Sequence, residues 1–316
     1  MRTCHHALMD TVRPRMRTCC YEKNMELNKN MPIGFMDSGL GGISVLREAV
    51  RLMPNEDFIY FGDSANVPYG NKPREEIRRL TFNVVEELLD RGIKGLAIAC
   101  NTATSAAVKD LRIMYPDLPL VGIEPAIKPA IEQSRGGRIL VMATPMTIKQ
   151  EKFRHLLEQY GAGHEVVSVP CDGLVGFVEN CMFDQDLLNV YFAKHLQPFL
   201  TDNTESIVLG CTHYPFLRSN IKEFLRENHY SEDIRLIDGS YGTAKELRRR
   251  LAEKGLLKDV PEADAEAKNS VSSVPETADG TQDDDFEFTG EVTILNSSSD
   301  SEMVEKSYAL LNLPEI

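Results

Sequence analysis

From residue 33 onward, short apolar runs alternate with amphipathic segments, and this rhythm constrains the fold more than any other feature of the chain. The runs at 33–36, 58–61, 95–99, 120–123, 139–143, 165–169, 207–209 and 234–237 read as strands. Helical periodicity occupies 44–52, 74–91, 103–115, 146–160, 185–200, 216–228 and 243–254. Strands separated by helices cross over to parallel neighbours, so the expected class is α/β with helices on both faces of parallel sheet. Such sheets carry their chemistry beyond the carboxyl ends of the strands. A weak internal echo suggests two similar halves. Ile33-Gly34-Phe35-Met36-Asp37-Ser38-Gly39 matches Ile139-Leu140-Val141-Met142-Ala143-Thr144-Pro145 in pattern, and each is followed some 63 to 68 residues later by an apolar strand ending in cysteine.

Composition narrows the function classes. No stretch approaches the roughly 18 uninterrupted apolar residues of a membrane span, so no membrane partner is expected. Residues 1–30 carry Arg2, Arg13, Arg15 and Arg17 with no apolar core behind them, unlike a secretory signal, and read as a disordered or misassigned leader. His5-His6 and Cys19-Cys20 in that leader fit no standard zinc spacing. Seven cysteines are too few and too odd in number for a disulfide scaffold, which suggests reduced thiols in the cytoplasm. The net charge of −13 is concentrated in 259–302, with thirteen acidic side chains and one basic. The remainder is nearly neutral, and without a clustered basic surface no nucleic-acid partner is expected. Residues 259–284 read as a flexible acidic insertion, with order resuming as a strand over 286–295 and a helix over 302–311.

Two segments carry the chemistry. Leu96-Ala97-Ile98-Ala99-Cys100-Asn101-Thr102-Ala103 is an apolar strand, a cysteine, then amide and hydroxyl residues opening a helix. Ile207-Val208-Leu209-Gly210-Cys211-Thr212-His213-Tyr214-Pro215 repeats the arrangement. A thiol at a helix amino end is expected to have a lowered pKa, because free N–H groups and the helix dipole favour the thiolate. One such cysteine is commonly a core residue. Two in matching contexts admit a disulfide, a metal site with His213, nucleophilic catalysis by one thiol, or acid–base catalysis by both. The last would invert a stereocentre without a cofactor, Asp37 and His213 tuning or relaying protons.

The turn Asp37-Ser38-Gly39-Leu40-Gly41-Gly42 falls short of a dinucleotide fingerprint, since Ser44 stands where the third glycine belongs. Asp63 could still serve as a ribose-binding acid, and the lack of a following lysine excludes a Walker-type loop. Windows 37–44, 100–107 and 210–216 contain no Lys or Arg but offer helix amino ends with Ser38, Asn101, Thr102 and Thr212, equipment suited to the carboxylates of a small dicarboxylic amino acid.

Taken together, Asp37-Ser38-Gly39-x-Gly41-Gly42, Asp63 with Pro68-Tyr69-Gly70, Cys100-Asn101-Thr102-Ala103, Gly122-Ile123-Glu124-Pro125 and Gly210-Cys211-Thr212-His213-Tyr214-Pro215 resemble the glutamate racemase family. The resemblance spans about 33–258, with 286–313 similar to the family's closing strand and helix. It implies two α/β domains with the active site in the cleft between them: 31–125 plus 236–316 as the first, 126–235 as the second. It implies Cys100 as the acid/base group for D-glutamate and Cys211 for L-glutamate, assisted by Asp37, His213 and Glu179. It assigns substrate binding to Asp37, Ser38, Tyr69, Gly70, Asn101, Thr102, Thr212 and His213, and leaves Thr144 and Thr147 either reaching the carboxylate or capping a helix. No cofactor or metal is implied, and a homodimer is expected. A related aspartate racemase, a cysteine-dependent decarboxylase and a non-catalytic carboxylate- or nucleotide-binding module are the alternatives. If 260–283 is a linker, its deletion leaves glutamate racemisation within a few-fold of the full chain; a collapse of the rate would contradict that reading.

Overall fold

In the computed structural model, residues 26–149, 151–259 and 288–313 are described. Two parallel sheets form the frame. The first contains β1 (Ile33–Asp37), β2 (Phe58–Gly62), β3 (Gly95–Ile98), β4 (Leu120–Gly122) and, from the far end of the chain, β9 (Val292–Asn296), in the order β4-β3-β1-β2-β9. The second contains β5 (Arg138–Ala143), β6 (Val166–Pro170), β7 (Thr204–Leu209) and β8 (Arg235–Asp238), in the order β6-β5-β7-β8. Every pairing is parallel. Read from the opposite edge, the second sheet repeats the first: fourth, third, first, second strand. The internal echo therefore lies on equivalent strands, since β1 and β5 open their sheets and β3 and β7, each followed by a cysteine, lie beside them.

Helices α1 (Ile43–Leu52), α2 (Arg74–Asp90) and α3 (Asn101–Met114) follow the first three strands, and α4 (Ile127–Glu132) follows β4. In the second half come α5 (Pro145–Lys149), α6 (Glu151–Tyr160), α7 (Leu174–Glu179), α8 (Gln185–His195) and α9 (Arg218–Glu227). Then α10 (Ser240–Glu253) packs against α1, β3 and β4, and α11 (Ser301–Leu311) packs against α1 and β9. The strands bury Ile33, Phe35, Leu96, Ile98, Leu140 and Val208 completely, which is why they read as near-continuous apolar runs.

Several boundaries differ from expectation for local reasons. The helix expected over 185–200 ends at His195, and a 3-10 turn containing Pro198 follows, because proline cannot supply the next helical N–H. The helix expected over 216–228 begins at Arg218 after a 3-10 turn, Tyr214–Leu217, that carries Pro215. Of the helix expected over 146–160, the described residues are helical over Pro145–Lys149 and Glu151–Tyr160, and residue 150 lies outside them. The domain boundary expected at 235/236 would cut β8, whose Arg235 to Asp238 all pair with β7; the chain leaves the second sheet only at Gly239. The leader to residue 25 and the acidic insertion from residue 260 lie outside the described residues, and so does the start of the strand expected from 286.

At the amino ends of the first sheet, Lys94 and Glu56 form a fully buried ion pair at 2.5 Å. Lys94 also donates to the Lys29 carbonyl, and Glu56 accepts from the Lys258 N–H at 2.7 Å, so three distant segments are tied at one point. Removing one partner strands the other charge in the core. Lys94→Met is expected to lower the unfolding free energy by about 3–5 kcal/mol in a urea titration, and a loss below about 1 kcal/mol would contradict this account of the pair.

Candidate active site

The carboxyl ends of the two sheets meet each other. Asp37 ends β1 and is fully buried; its Oδ2 accepts the Gly39 N–H at 2.9 Å. Across the seam, the Thr212 hydroxyl donates to Asp37 Oδ1 at 3.5 Å. The Glu179 carboxylate, at the end of α7, accepts the Leu40 N–H at 2.9 Å. On α3, Asn101 donates from its amide nitrogen to the Gly210 carbonyl at 3.3 Å.

Such closeness depends on glycine. A β-carbon on Gly39 would lie 2.2 Å from Glu179 Oε1, and one on Gly41 would lie 2.3 Å from His213 Nδ1. The turn that resembled a truncated nucleotide loop is thus a seat for side chains of the opposite half. Asp63 serves locally. It accepts from Tyr69 Oη at 2.6 Å and from Asn66 Nδ2 at 2.9 Å, so its carboxylate fixes Tyr69 rather than standing open to a ribose. Thr144 stands at the start of α5, where its hydroxyl accepts the Thr147 N–H at 3.2 Å and contacts the Thr147 hydroxyl at 2.9 Å.

The two thiols occupy unlike environments. Cys100 caps α3, its Sγ accepting the Ala103 N–H at 3.5 Å and donating to the Ser38 hydroxyl at 3.5 Å. It is only 6% exposed. The expectation of a lowered pKa fails for this cysteine. Burial, with the Asp37 charge nearby, pushes the thiol up to about 12, outweighing the Ser38 and Ala103 hydrogen bonds that favour the thiolate. The repulsive influence of Cys211 also reaches it.

Cys211, half-buried, has its Sγ 3.6 Å from His213 Nδ1, and His213 Nε2 lies 2.6 Å from Glu179 Oε1. Burial alone would favour the neutral imidazole. The hydrogen bonds and charges of Cys211 and Glu179 prevail and hold the His213 pKa well above its ordinary value. Glu179 likewise overcomes its burial, because His213 and the Leu40 N–H hold its pKa below the usual carboxylate range. Burial raises Asp37, with the His213 charge and the Gly39 N–H opposing. A sulfur–imidazole–carboxylate chain therefore stands on one side of the seam, and a protonated, buried thiol on the other.

Of the residues singled out from the sequence, Asp37, Ser38, Cys100, Thr102, Thr212 and His213 are buried around this junction, and Tyr69 is held by Asp63. Gly70, in the turn after Tyr69, has its α-carbon side facing Met146 of the second half. The Asn101 Oδ1 is buried without a hydrogen-bond partner. That acceptor suits a donor brought by a ligand, such as an ammonium group. Among the described residues no group of three or more His, Cys, Asp or Glu is arranged to hold a metal ion. Ser44, marked beforehand only as the residue in the third-glycine position of the turn, donates its hydroxyl to the Thr212 carbonyl at 3.0 Å.

Known proteins resemble this chain in sequence and in fold. Residues 33–247 match the family model described as Asp/Glu/Hydantoin racemase. A glutamate racemase of Clostridium botulinum (strain Alaska E43 / Type E3) is 44% identical over 283 residues, covering 90% of this chain and 98% of that protein. One from Clostridium novyi (strain NT) is 52% identical over 227 residues, covering 72% and 85%. Among solved structures, the glutamate racemase of Francisella tularensis in complex with D-glutamate aligns with TM-score 0.69 at 26% identity, covering 91% of this chain and 96% of that one. An isoform from Bacillus anthracis aligns with TM-score 0.72 at 29% identity, covering 92% and 96%.

The Cys100 environment has a direct readout. A pKa raised from 9.0 to about 12 leaves the thiol protonated through neutral pH. Alkylation of Cys100 by iodoacetamide, followed by peptide mass spectrometry, is expected to be slow at pH 8 and to climb about tenfold per pH unit toward that value. A rate already at its plateau by pH 8 would contradict the assigned burial effect.

Proposed function

The chain belongs to the Asp/Glu/Hydantoin racemase family, and from that premise we propose that it interconverts L- and D-glutamate by proton transfer between the substrate α-carbon and the thiols of Cys100 and Cys211. The observation that carries the reading is the placement of one cysteine after the third strand of each half, on either side of a shared seam. A binding module needs neither thiol, and a decarboxylase needs one.

The unlike environments set the order of events. With L-glutamate bound, Cys211, facing the His213 imidazolium, removes the α-proton. Cys100, held protonated by burial, delivers its own proton to the opposite face. The product is D-glutamate, leaving Cys211 as thiol and Cys100 as thiolate. The Ala103 N–H and Ser38 hydroxyl stabilise that thiolate, and the substrate ammonium adds a favourable charge. The reverse reaction starts from this second state. Asp37, Ser38, Tyr69, Gly70, Asn101, Thr102, Thr212 and His213 bind the amino acid, with Asn101 Oδ1 accepting from the ammonium and the hydroxyls and helix amino ends holding carboxylates. Glu179 keeps His213 charged and oriented. The proposal assigns no step to a cofactor or metal. It extends to a cytoplasmic homodimer whose D-glutamate enters bacterial peptidoglycan. Among the described residues no helix is long and apolar enough to cross a membrane.

The test is incubation with L-glutamate or L-aspartate in D₂O without pyridoxal phosphate. Deuterium at the α-carbon together with loss of chirality, for glutamate alone, is the expected result. Deuteration of aspartate alone would favour the aspartate racemase reading, and retention of hydrogen in both would overturn proton transfer. Cys100→Ser and Cys211→Ser are each expected to lower kcat by about 10²–10⁴-fold with circular dichroism unchanged. Near wild-type racemisation in either variant would falsify the two-thiol assignment.

A further inference from the structure

Ser44 occupies the position where a dinucleotide fingerprint places its third glycine, and the mechanism above leaves it without a task. It sits in the first turn of α1, only 2% exposed. Its hydroxyl lies 2.9 Å from the Gly41 carbonyl, three residues back in its own half, and 3.0 Å from the Thr212 carbonyl in the other half. The hydroxyl of Ser240, 4% exposed in the first turn of α10, donates to Ser44 Oγ at 3.3 Å. One proton thus serves two acceptors while a second hydroxyl occupies a lone pair of the donor oxygen.

We infer that Ser44 is a positioning residue for the Cys211 loop, fixing the Thr212 carbonyl and through it the contact between Cys211 Sγ and His213 Nδ1. Thr212 lies between these two residues, so the orientation of its carbonyl constrains the backbone on which both side chains depend. The Gly41 turn, seated against His213 Nδ1 and the Thr212 hydroxyl, supplies the surface against which that loop is held. Gly41 also offers an acceptor within the same half, so Ser44 remains satisfied if its bond to Thr212 lengthens. Ser240 follows Gly239, where the chain returns to the first half, and thereby links this crossing to the same hydroxyl. The inference rests on the racemase reading for its effect on turnover, but not for its effect on the reactivity of Cys211.

The experiment compares Ser44→Ala, Ser44→Thr and Ser240→Ala with the wild-type chain by glutamate kinetics, thermal unfolding and peptide-resolved iodoacetamide labelling at pH 8. Threonine keeps a hydroxyl able to bond the carbonyl three residues back. Ser44→Ala is expected to lower kcat about tenfold with KM within about twofold, since a misplacement of around 1 Å is costly to proton transfer but not to binding. The same variant is expected to slow Cys211 labelling about tenfold with Cys171 unchanged, because the loop that sets Cys211 Sγ 3.6 Å from His213 Nδ1 is no longer fixed. Ser44→Thr should return both to within about threefold, and Ser240→Ala should give a smaller loss of the same kind. Wild-type Cys211 labelling in Ser44→Ala overturns the inference. So does a loss that Ser44→Thr fails to restore, or a change confined to KM. Absence of racemisation by the wild-type chain would defeat the racemase reading instead, leaving the labelling comparison to judge Ser44.

Discussion

The site exists because two β-carbons are missing. Gly39 and Gly41 leave room for Glu179 and His213 of the opposite half, and any larger residue would force those side chains from positions only 2.2 and 2.3 Å from its first carbon. Close approach of backbone to side chain lets the Leu40 N–H satisfy Glu179, which in turn holds His213 beside Cys211. The glycine turn is therefore the point at which packing becomes electrostatics. Its glycines carry no reacting group, yet Glu179 and His213 of the second half are both arranged against them.

Burial gives two chemically identical groups unlike surroundings. Both cysteines follow a third strand, but only Cys211 has an imidazole of raised pKa at its side. Cys100 instead has a buried carboxyl nearby and little solvent, so its proton is retained at neutral pH. Helix-end N–H groups act on it in the expected direction, but desolvation is the larger effect. A matched pair of thiols in a matched pair of sheets is thereby set in two unlike environments.

Much of this was legible in the sequence because strand burial and helix periodicity leave local signatures. The runs around Ile33, Leu96, Leu140 and Ile207 mark the central strands correctly, and the echo between the 33–39 and 139–145 segments corresponds to equivalent places in the two sheets. What could not be read depended on contacts across the seam. Asp63 was ambiguous because its partner Tyr69 is identified only by folding, and the glycine turn read as an incomplete dinucleotide fingerprint because local sequence does not say what it faces. The pKa of Cys100 turned on burial, which a helix-end motif does not encode. Helix boundaries at Pro198 and Pro215 shifted where 3-10 turns replaced expected α-helix. Ser44 resembled a mere departure from a motif until the Thr212 carbonyl was placed against it.

Racemisation by two thiols requires one α-carbon held between two sulfur atoms that belong to different halves. A crystal structure of the chain with D-glutamate bound addresses it most directly. Cys100 Sγ and Cys211 Sγ are expected on opposite faces of that carbon, each within about 4 Å, near the separation of reacting atoms. Both sulfurs on the same face, or either one beyond about 6 Å with the seam closed, would contradict it.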